Sequence, residues 1–376
     1  MKKIVSAMLA GVLVCGALNA QSIKVTNTFG GDSDNTGSSD LFAYDRQKNE
    51  DGSYKDKYGN ATRASDRLQL DVSGKDFDSR LRMEIGTTKI NGKESTVRFR
   101  GYGRFKIVDG FQVIAGNDFF TKASVDAGYL AASDDYPKYA RILQNGFGGI
   151  VKGSFGNDNE KYFNVAGGIK GTDDSYNDKD TFGLDAGMNF GIKNVMSVGA
   201  SLQNMAGNNL SAGVFAGLNN VENLILNAGY IYNNTDTDFI AKSAKNTISL
   251  SAGYKFQESG IFLAADVMSA ISNEYLEDGE TKKYENDGKK LIPLLAKGCV
   301  SYKAKDNLTA GVKAKVAMMI GDDDSRKTEL YPNIVYTLAD KMGTVTTGVR
   351  LNLDKDGLYK IAIPLSWKCT FADIKK

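Results

Sequence analysis

The chain has 376 residues, 41% of them hydrophobic, with 41 Gly, 4 Pro and a formal charge of +2. Beyond residue 20 no apolar run approaches the ~20 residues that a membrane helix needs, and mean hydropathy is -0.32, so a helical membrane protein is excluded. Aromatic residues at 10%, regularly spaced among polar ones, exclude disorder, and a balance this close to neutral gives no general pull towards nucleic acid.

The first segment is a leader. Met1-Lys2-Lys3 is basic, Ile4 to Val14 is a short apolar core, and the small residues Gly16, Ala17 and Ala20 precede Gln21. That order reads as a secretory signal peptide over residues 1–20, cut after Ala20, because the core is too short to anchor. Val12-Leu13-Val14-Cys15 loosely matches a lipoprotein signal, but the residue before such a cysteine is small and Val14 is not. Without Lys2 and Lys3 the net charge falls to about zero.

Residues 21–376 show one rhythm throughout. Ile23, Val25, Asn27 and Phe29 start it, and the polar stretch 30–65 follows, with Leu41, Phe42 and Tyr44 as the makings of a small strand inside it. Alternation then predicts strands over 66–73, 79–89, 95–108, 110–117, 145–156, 161–170, 181–190, 195–203 and 209–218. It continues over 224–232, 246–256, 260–271, 294–303, 308–320, 328–338, 343–353 and 359–371. In 246–256, for example, Ile248, Leu250, Ala252, Tyr254 and Phe256 alternate with Ser249, Ser251, Gly253 and Lys255. Neighbouring side chains of a strand point to opposite faces, so each strand has an apolar and a wet side.

The long connections 30–65, 118–144, 171–180, 233–245, 272–293 and 321–327 all fall at one end. The turns at the other end, such as 74–78, 191–194 and 304–307, are short. This asymmetry, with apolar faces outward and polar faces inward, predicts an all-β fold: a transmembrane antiparallel up-and-down barrel of about eighteen strands, with sixteen also compatible. Residues 21–376 form a single domain in this reading, with no linker or repeat array. By strand parity Cys299 points inward and Cys369 outward on separate strands, so they do not pair.

The last strand sets Tyr359, Ile361, Ile363, Leu365, Trp367, Cys369 and Phe371 on one face. With the leader, the alternation and the Gly-rich turns, this resembles the bacterial outer-membrane β-barrel proteins, porins broadly, over nearly the whole of residues 21–376. The resemblance implies the outer membrane of a diderm bacterium. It also implies contact with outer-membrane lipid, and a barrel-assembly machinery that reads the final strand. Two features depart from it: Ala372 to Lys376 follow Phe371, and Pro364 interrupts the strand, which predicts a bulge there.

No enzyme and no cofactor are expected. The chain contains no histidine, which removes Ser-His-Asp and Cys-His nucleophiles and His-ligated metals. Asp32-Ser33-Asp34-Asn35-Thr36-Gly37 begins like a calcium loop, but the twelfth position is Ala43 rather than Glu. The acidic runs at Asp173, Asp174, Asp178 and Asp180 and at Asp322 to Asp324 read as solvated loop charge, with weak calcium binding as the alternative. Gly101-Tyr102-Gly103 and Gly146 to Gly149 lie in or beside strands with no following helix, so they are not phosphate loops.

The inner face is the candidate site. Opposite Val97, Phe99, Phe105 and Ile107 stand Arg98, Arg100, Arg104 and Lys106, joined by Arg80 and Arg82 on the strand before and by Lys313, Lys315 and Arg350 further on. Arginine on a lipid-facing wall costs roughly 2–4 kcal/mol at the midplane, so these groups face water or protein. The inward acids are Asp71, Glu84, Asp185 and Asp266, and the long loops are acidic. A positive lumen behind a negative rim follows, suited to small hydrophilic or anionic solutes. Equally, the arginines pair with acids or fill the wall. The loop 118–144, with Phe119, Phe120, Asp126, Asp134 and Asp135, is the candidate constriction. Three roles remain open: a passive diffusion channel, a plugged uptake barrel for a hydrophobic or anionic substrate, and a surface adhesin or structural barrel. A like subunit is among the expected partners, and nucleic acid is not.

Overall fold

The computed structural model describes residues 21–29, 39–48, 53–59, 64–87, 95–116, 146–170, 183–205, 210–234, 244–277 and 280–375. Residues 1–20, expected to be a leader, and the loops 118–144 and 171–180 lie outside the described residues. Among those described there are twenty-five strands. The first half of the chain supplies β1 (Ser22–Phe29), β2 (Ser39–Lys48), β3 (Tyr54–Gly59), β4 (Ala64–Ser73), β5 (Phe77–Thr87), β6 (Ser95–Val108), β7 (Phe111–Gly116), β8 (Gly146–Phe155), β9 (Lys161–Lys170), β10 (Gly183–Ile192) and β11 (Met196–Gln203). Next come β12 (Ser211–Val221), β13 (Leu224–Asn234), β14 (Ala244–Phe256), β15 (Ile261–Ala270), β16 (Glu274–Glu277), β17 (Glu280–Lys283), β18 (Glu285–Asn286) and β19 (Lys289–Lys290). The last are β20 (Ile292–Lys305), β21 (Leu308–Ile320), β22 (Asp322–Thr337), β23 (Gly343–Gly348), β24 (Arg350–Asp354) and β25 (Gly357–Lys375).

All pairings are antiparallel, and β1 pairs with β25, so the sheet closes. Three wall positions are each filled by two strands end to end. β1 and β2 share one edge of β25, β3 lies beyond β4, and β23 and β24 lie between β22 and β25. Counted as wall positions, the barrel has eighteen strands. Closure is required physically, because an open edge in lipid leaves donors and acceptors unpaired.

The short turns owe their geometry to residues that tolerate left-handed backbone. Glu222 and Asn223, between β12 and β13, both have positive φ (49° and 67°), the twist that matches two antiparallel strands. The first and last described residues lie at this end of the barrel, where Ser22 faces Lys375 and the Gln21 N–H donates to the Ser73 carbonyl.

Outward faces are apolar and exposed, as at Leu250 (57%), Phe99 and Met188. Two small apolar clusters lie inside this rim of strands. One is Ile114, Ile150 and Ala166 with Tyr102 against it; the other is Ala244, Met268, Ala270 and Leu295 with Ile292 and Ala317.

The prolines explain where the strand expectations needed adjusting. The expected strand 343–353 is broken at Val349, which lies opposite Pro332; the Val349 N–H reaches the Pro332 carbonyl at 3.0 Å, but Pro332 has no N–H to return. Pro364 does face a bulge, which sits in β2 between Asp40 and Phe42. The small strand expected around Leu41 to Tyr44 is β2, paired with β3 as a hairpin. The 272–293 connection carries two more short hairpins, β16–β17 and β18–β19.

Candidate functional site

The register of β4, β5 and β6 places the charged residues. Asp71 faces Arg80, which faces Tyr102; Gln69 faces Arg82, which faces Arg100; Asp78 faces Arg104. All share the parity opposite Leu68, Leu81, Phe99 and Phe105, so all belong to the lumenal side. Cross-strand partners sit ~5 Å apart, close enough for direct bonds. Arg80 Nε donates to Asp71 Oδ1 at 2.7 Å, Arg104 Nε to Asp78 Oδ2 at 2.6 Å, and Arg82 Nε to Gln69 Oε1 at 2.7 Å. Gln69 Nε2 in turn donates to Asp71 Oδ2 at 2.5 Å. The Arg80 guanidinium stands 5.6 Å from the Tyr102 ring centre. Arg98 faces Glu84 in register, but both side chains lie outside the described residues. Lys106 pairs with Asp109 in the turn, and that hydrogen bond holds the Asp109 carboxyl below the usual range.

The second group stands across the closure seam. Lys297 faces Asp266 on one side and Lys315 on the other; Lys315 faces Glu329, and Glu329 faces Asn352, which faces Lys360. Lys313 lies one step along, opposite Cys299 and Tyr331. Arg350 repeats the acid–arginine–tyrosine arrangement, 3.7 Å from Glu329 and 5.3 Å from the Tyr331 ring centre. Asn352 Nδ2 donates to Glu329 at 3.3 Å.

The structure therefore gathers Arg80, Arg82, Arg100, Arg104 and Lys106 on one patch and Lys313, Lys315 and Arg350 on another. It also revises the charge picture. Asp78 and Glu329 are inward carboxylates that the sequence reading passed over. Asp78 was counted in a turn, whereas β5 already begins at Phe77. Glu329 had a legible signal, since it shares parity with Tyr331 and Asn333 and opposes Leu330. Both arginines nearest these acids take them as partners from adjacent strands. Among the described side chains of lumenal parity, cations still outnumber the carboxylates, which also include Asp45, opposite Lys360, and Asp373, opposite Lys24.

The outer rim is mixed rather than simply negative. Lys355 donates to Asp324 at 2.5 Å, Lys245 lies 3.1 Å from Glu274, and Lys282 pairs with Glu277. In that same loop Tyr275 and Tyr284 stack at 4.5 Å, and burial pushes the Tyr284 phenol up from its ordinary range.

On the final strand, Ile361, Leu365 and Trp367 pair in register with Leu351, Thr347 and Val345, and with Ile363 and Cys369 they form the outward face. Tyr359 precedes them. Trp367 stacks on Phe29 at 4.1 Å and its indole N–H donates to Asn27 at 2.8 Å. Phe371 departs from the alternation: it is the extra residue of a bulge opposite Val25 and Thr26, after which Ala372 and Ile374 carry the outward parity. Cys299 and Cys369 are both free. Among the described residues no cluster of His, Cys, Asp and Glu is arranged for a metal. The constriction candidates Phe119, Phe120, Asp126, Asp134 and Asp135 lie outside the described residues.

The crystal structure of Acinetobacter baumannii OccAB4 is similar at a TM-score of 0.55 and 11% identity, over 95% of this chain and 99% of that one. This chain has the fold of that protein. A triple mutant of the Rhodopseudomonas blastica porin aligns over 93% of this chain and 99% of its own at 12% identity, with a TM-score of 0.46. No family model and no curated protein matches the sequence.

Proposed function

We propose that the protein is a passive diffusion channel of a bacterial outer membrane, admitting small hydrophilic solutes and favouring anions. The observation that carries this reading is the excess of Arg and Lys over carboxylates on the inner wall of a closed eighteen-strand barrel. Fixed cations in a narrow low-dielectric tube lower the entry cost of an anion, and no chemical step is needed. The apolar outward band fits lipid, and the outward face of β25 fits recognition by assembly machinery. Like subunits are proposed as further partners on the same footing.

A planar-bilayer recording tests this. Stepwise conductance is expected, with a reversal potential on the anion side in a salt gradient. Replacing Arg100, Arg104 and Arg350 together by Ser should move it towards the cation side. A refolded barrel that inserts but never conducts would overturn the reading.

A further inference from the structure

β25 changes its neighbours on both edges at one level. On one edge its register passes from β1, where Phe29 is opposite Trp367, to β2, where Ser39 is opposite Leu365. On the other edge it passes from β23, where Thr347 is opposite Leu365, to β24, where Arg350 is opposite Ala362. β22 makes the same exchange between Asn333, opposite Gly348, and Leu330, opposite Leu351. Since β1 pairs on with β4 and β2 with β3, a row of interrupted pairing crosses the wall from β22 to β4. Pro332 and Pro364 both stand on it, and neither has an N–H to give to a ladder. Gly348 comes so near β22 that a Cβ there would stand 2.1 Å from the Pro332 carbonyl oxygen, so this close approach needs glycine. The Val349 N–H to the Pro332 carbonyl and the Thr347 hydroxyl to the Pro364 carbonyl, both at 3.0 Å, span the row. Other side-chain ties lie to one side of it. Towards the long loops Arg350 stands 3.7 Å from Glu329, Lys355 donates to Asp324 at 2.5 Å and Tyr44 to Asp56 at 2.9 Å. Towards the short turns Trp367 holds Phe29 and Asn27. β21 differs, keeping continuous register with β20 from Ile320 to Thr309 and with β22 from Leu308 to Ala317.

We infer that this row is a hinge. The lip beyond it consists of β2, β3, β24 and the long-loop ends of β22 and β25. It tilts as one body against the rest of the barrel, because its own ladders and ion pairs hold it together while few bonds cross the row. The continuous β21–β22 ladder is the pivot. At the far side β3 pairs, among the described residues, with β2 alone, so that side of the lip swings furthest. A sheet opens first where its ladder bonds are fewest. An inward tilt carries Arg350, Glu329 and Lys360 towards the axis and narrows the mouth. The narrowing rests on the channel reading; the bending does not.

The test reads amide hydrogen exchange of the full barrel in lipid nanodiscs beside single-channel conductance in planar bilayers. Amides of Gly348, Val349, Arg350, Ile363 and Leu365 should exchange roughly tenfold faster than those of Ile248 to Tyr254 on β14. Pro332→Val combined with Pro364→Val returns the two absent donors. It should slow that exchange towards the β14 rate and remove brief partial closures from the records. Thr347→Val deletes a spanning bond and should do the reverse, so it decides the matter if the double variant does not fold. Exchange along the row as slow as in β14, or unmoved by these substitutions, would overturn the hinge. Fast exchange that the variants control, in a channel whose records show no closures, would overturn the narrowing. A barrel that never conducts would remove the channel reading, and the exchange rates would still decide whether the lip bends.

Discussion

Two stretches of one wall, built by the same alternation, carry their polar side inward for different ends. From β10 to β15 the lumenal face is uncharged apart from Asp185, Lys245, Lys255 and Asp266, and most of it is covered. From β21 round to β6 it is Arg, Lys, Asp and Glu, held in cross-strand pairs and partly wet. Strand parity alone decides which residues face inward, whereas the company they keep there decides whether they stabilise the wall or meet a solute.

That contrast is sharpest where a carboxylate is removed on each side. Asp266 is 1% exposed and faces Lys297, which is 4% exposed. Asp266→Ala strands a buried cation, and such losses cost about 3 kcal/mol. A lower urea midpoint is expected, with ion selectivity unchanged in those barrels that fold. Asp71→Asn, beside Arg80, should act the other way. The pair is partly solvated, so stability falls by about 1 kcal/mol, while anion preference measured by reversal potential rises. If Asp71→Asn destabilised the barrel as strongly as Asp266→Ala, the two stretches would not differ in kind.

A smaller effect is expected at Glu329→Gln. Its carboxylate lies 3.7 Å from Arg350, and removing one lumenal charge changes the local potential enough to raise anion over cation permeability by about twofold, less at high salt. The smallest effect belongs to the exposed turn outside the membrane. Lys303 donates to Asp306 at 2.7 Å, which holds the Asp306 carboxyl below its ordinary range. A depressed carboxyl stabilises the fold above the ordinary carboxylate range, and that contribution fades as pH falls through the lowered value. Asp306→Asn should therefore lower the unfolding midpoint only slightly at neutral pH and not at all in strong acid.

Much of this architecture was legible in sequence because lipid imposes a strict period. Ile248 to Phe256 and Leu308 to Ile320 could take only one inward face, and the sorting of loop lengths gave the number of wall positions. The paired arginines were less legible, since a bond between Arg104 and Asp78 depends on register to a single residue. Starting β5 two residues late hid Asp78 altogether. The covered face from Asn189 to Thr247 was not legible at all. Alternation records which way a side chain points but carries nothing about what lies across the cavity from it. The break at Val349 shows a third kind of miss, in which the deciding residue, Pro332, sits on a neighbouring strand.

The indole of Trp367 bonds to a carboxamide 340 positions earlier in the chain. The seam that this contact helps seal cannot form until synthesis is nearly over, so the earliest segment must wait, unmatched, for the latest. Contacts this distant in sequence are slow to find each other. A product clipped ahead of residue 357 would leave β1, β2, β23 and β24 without their common mate.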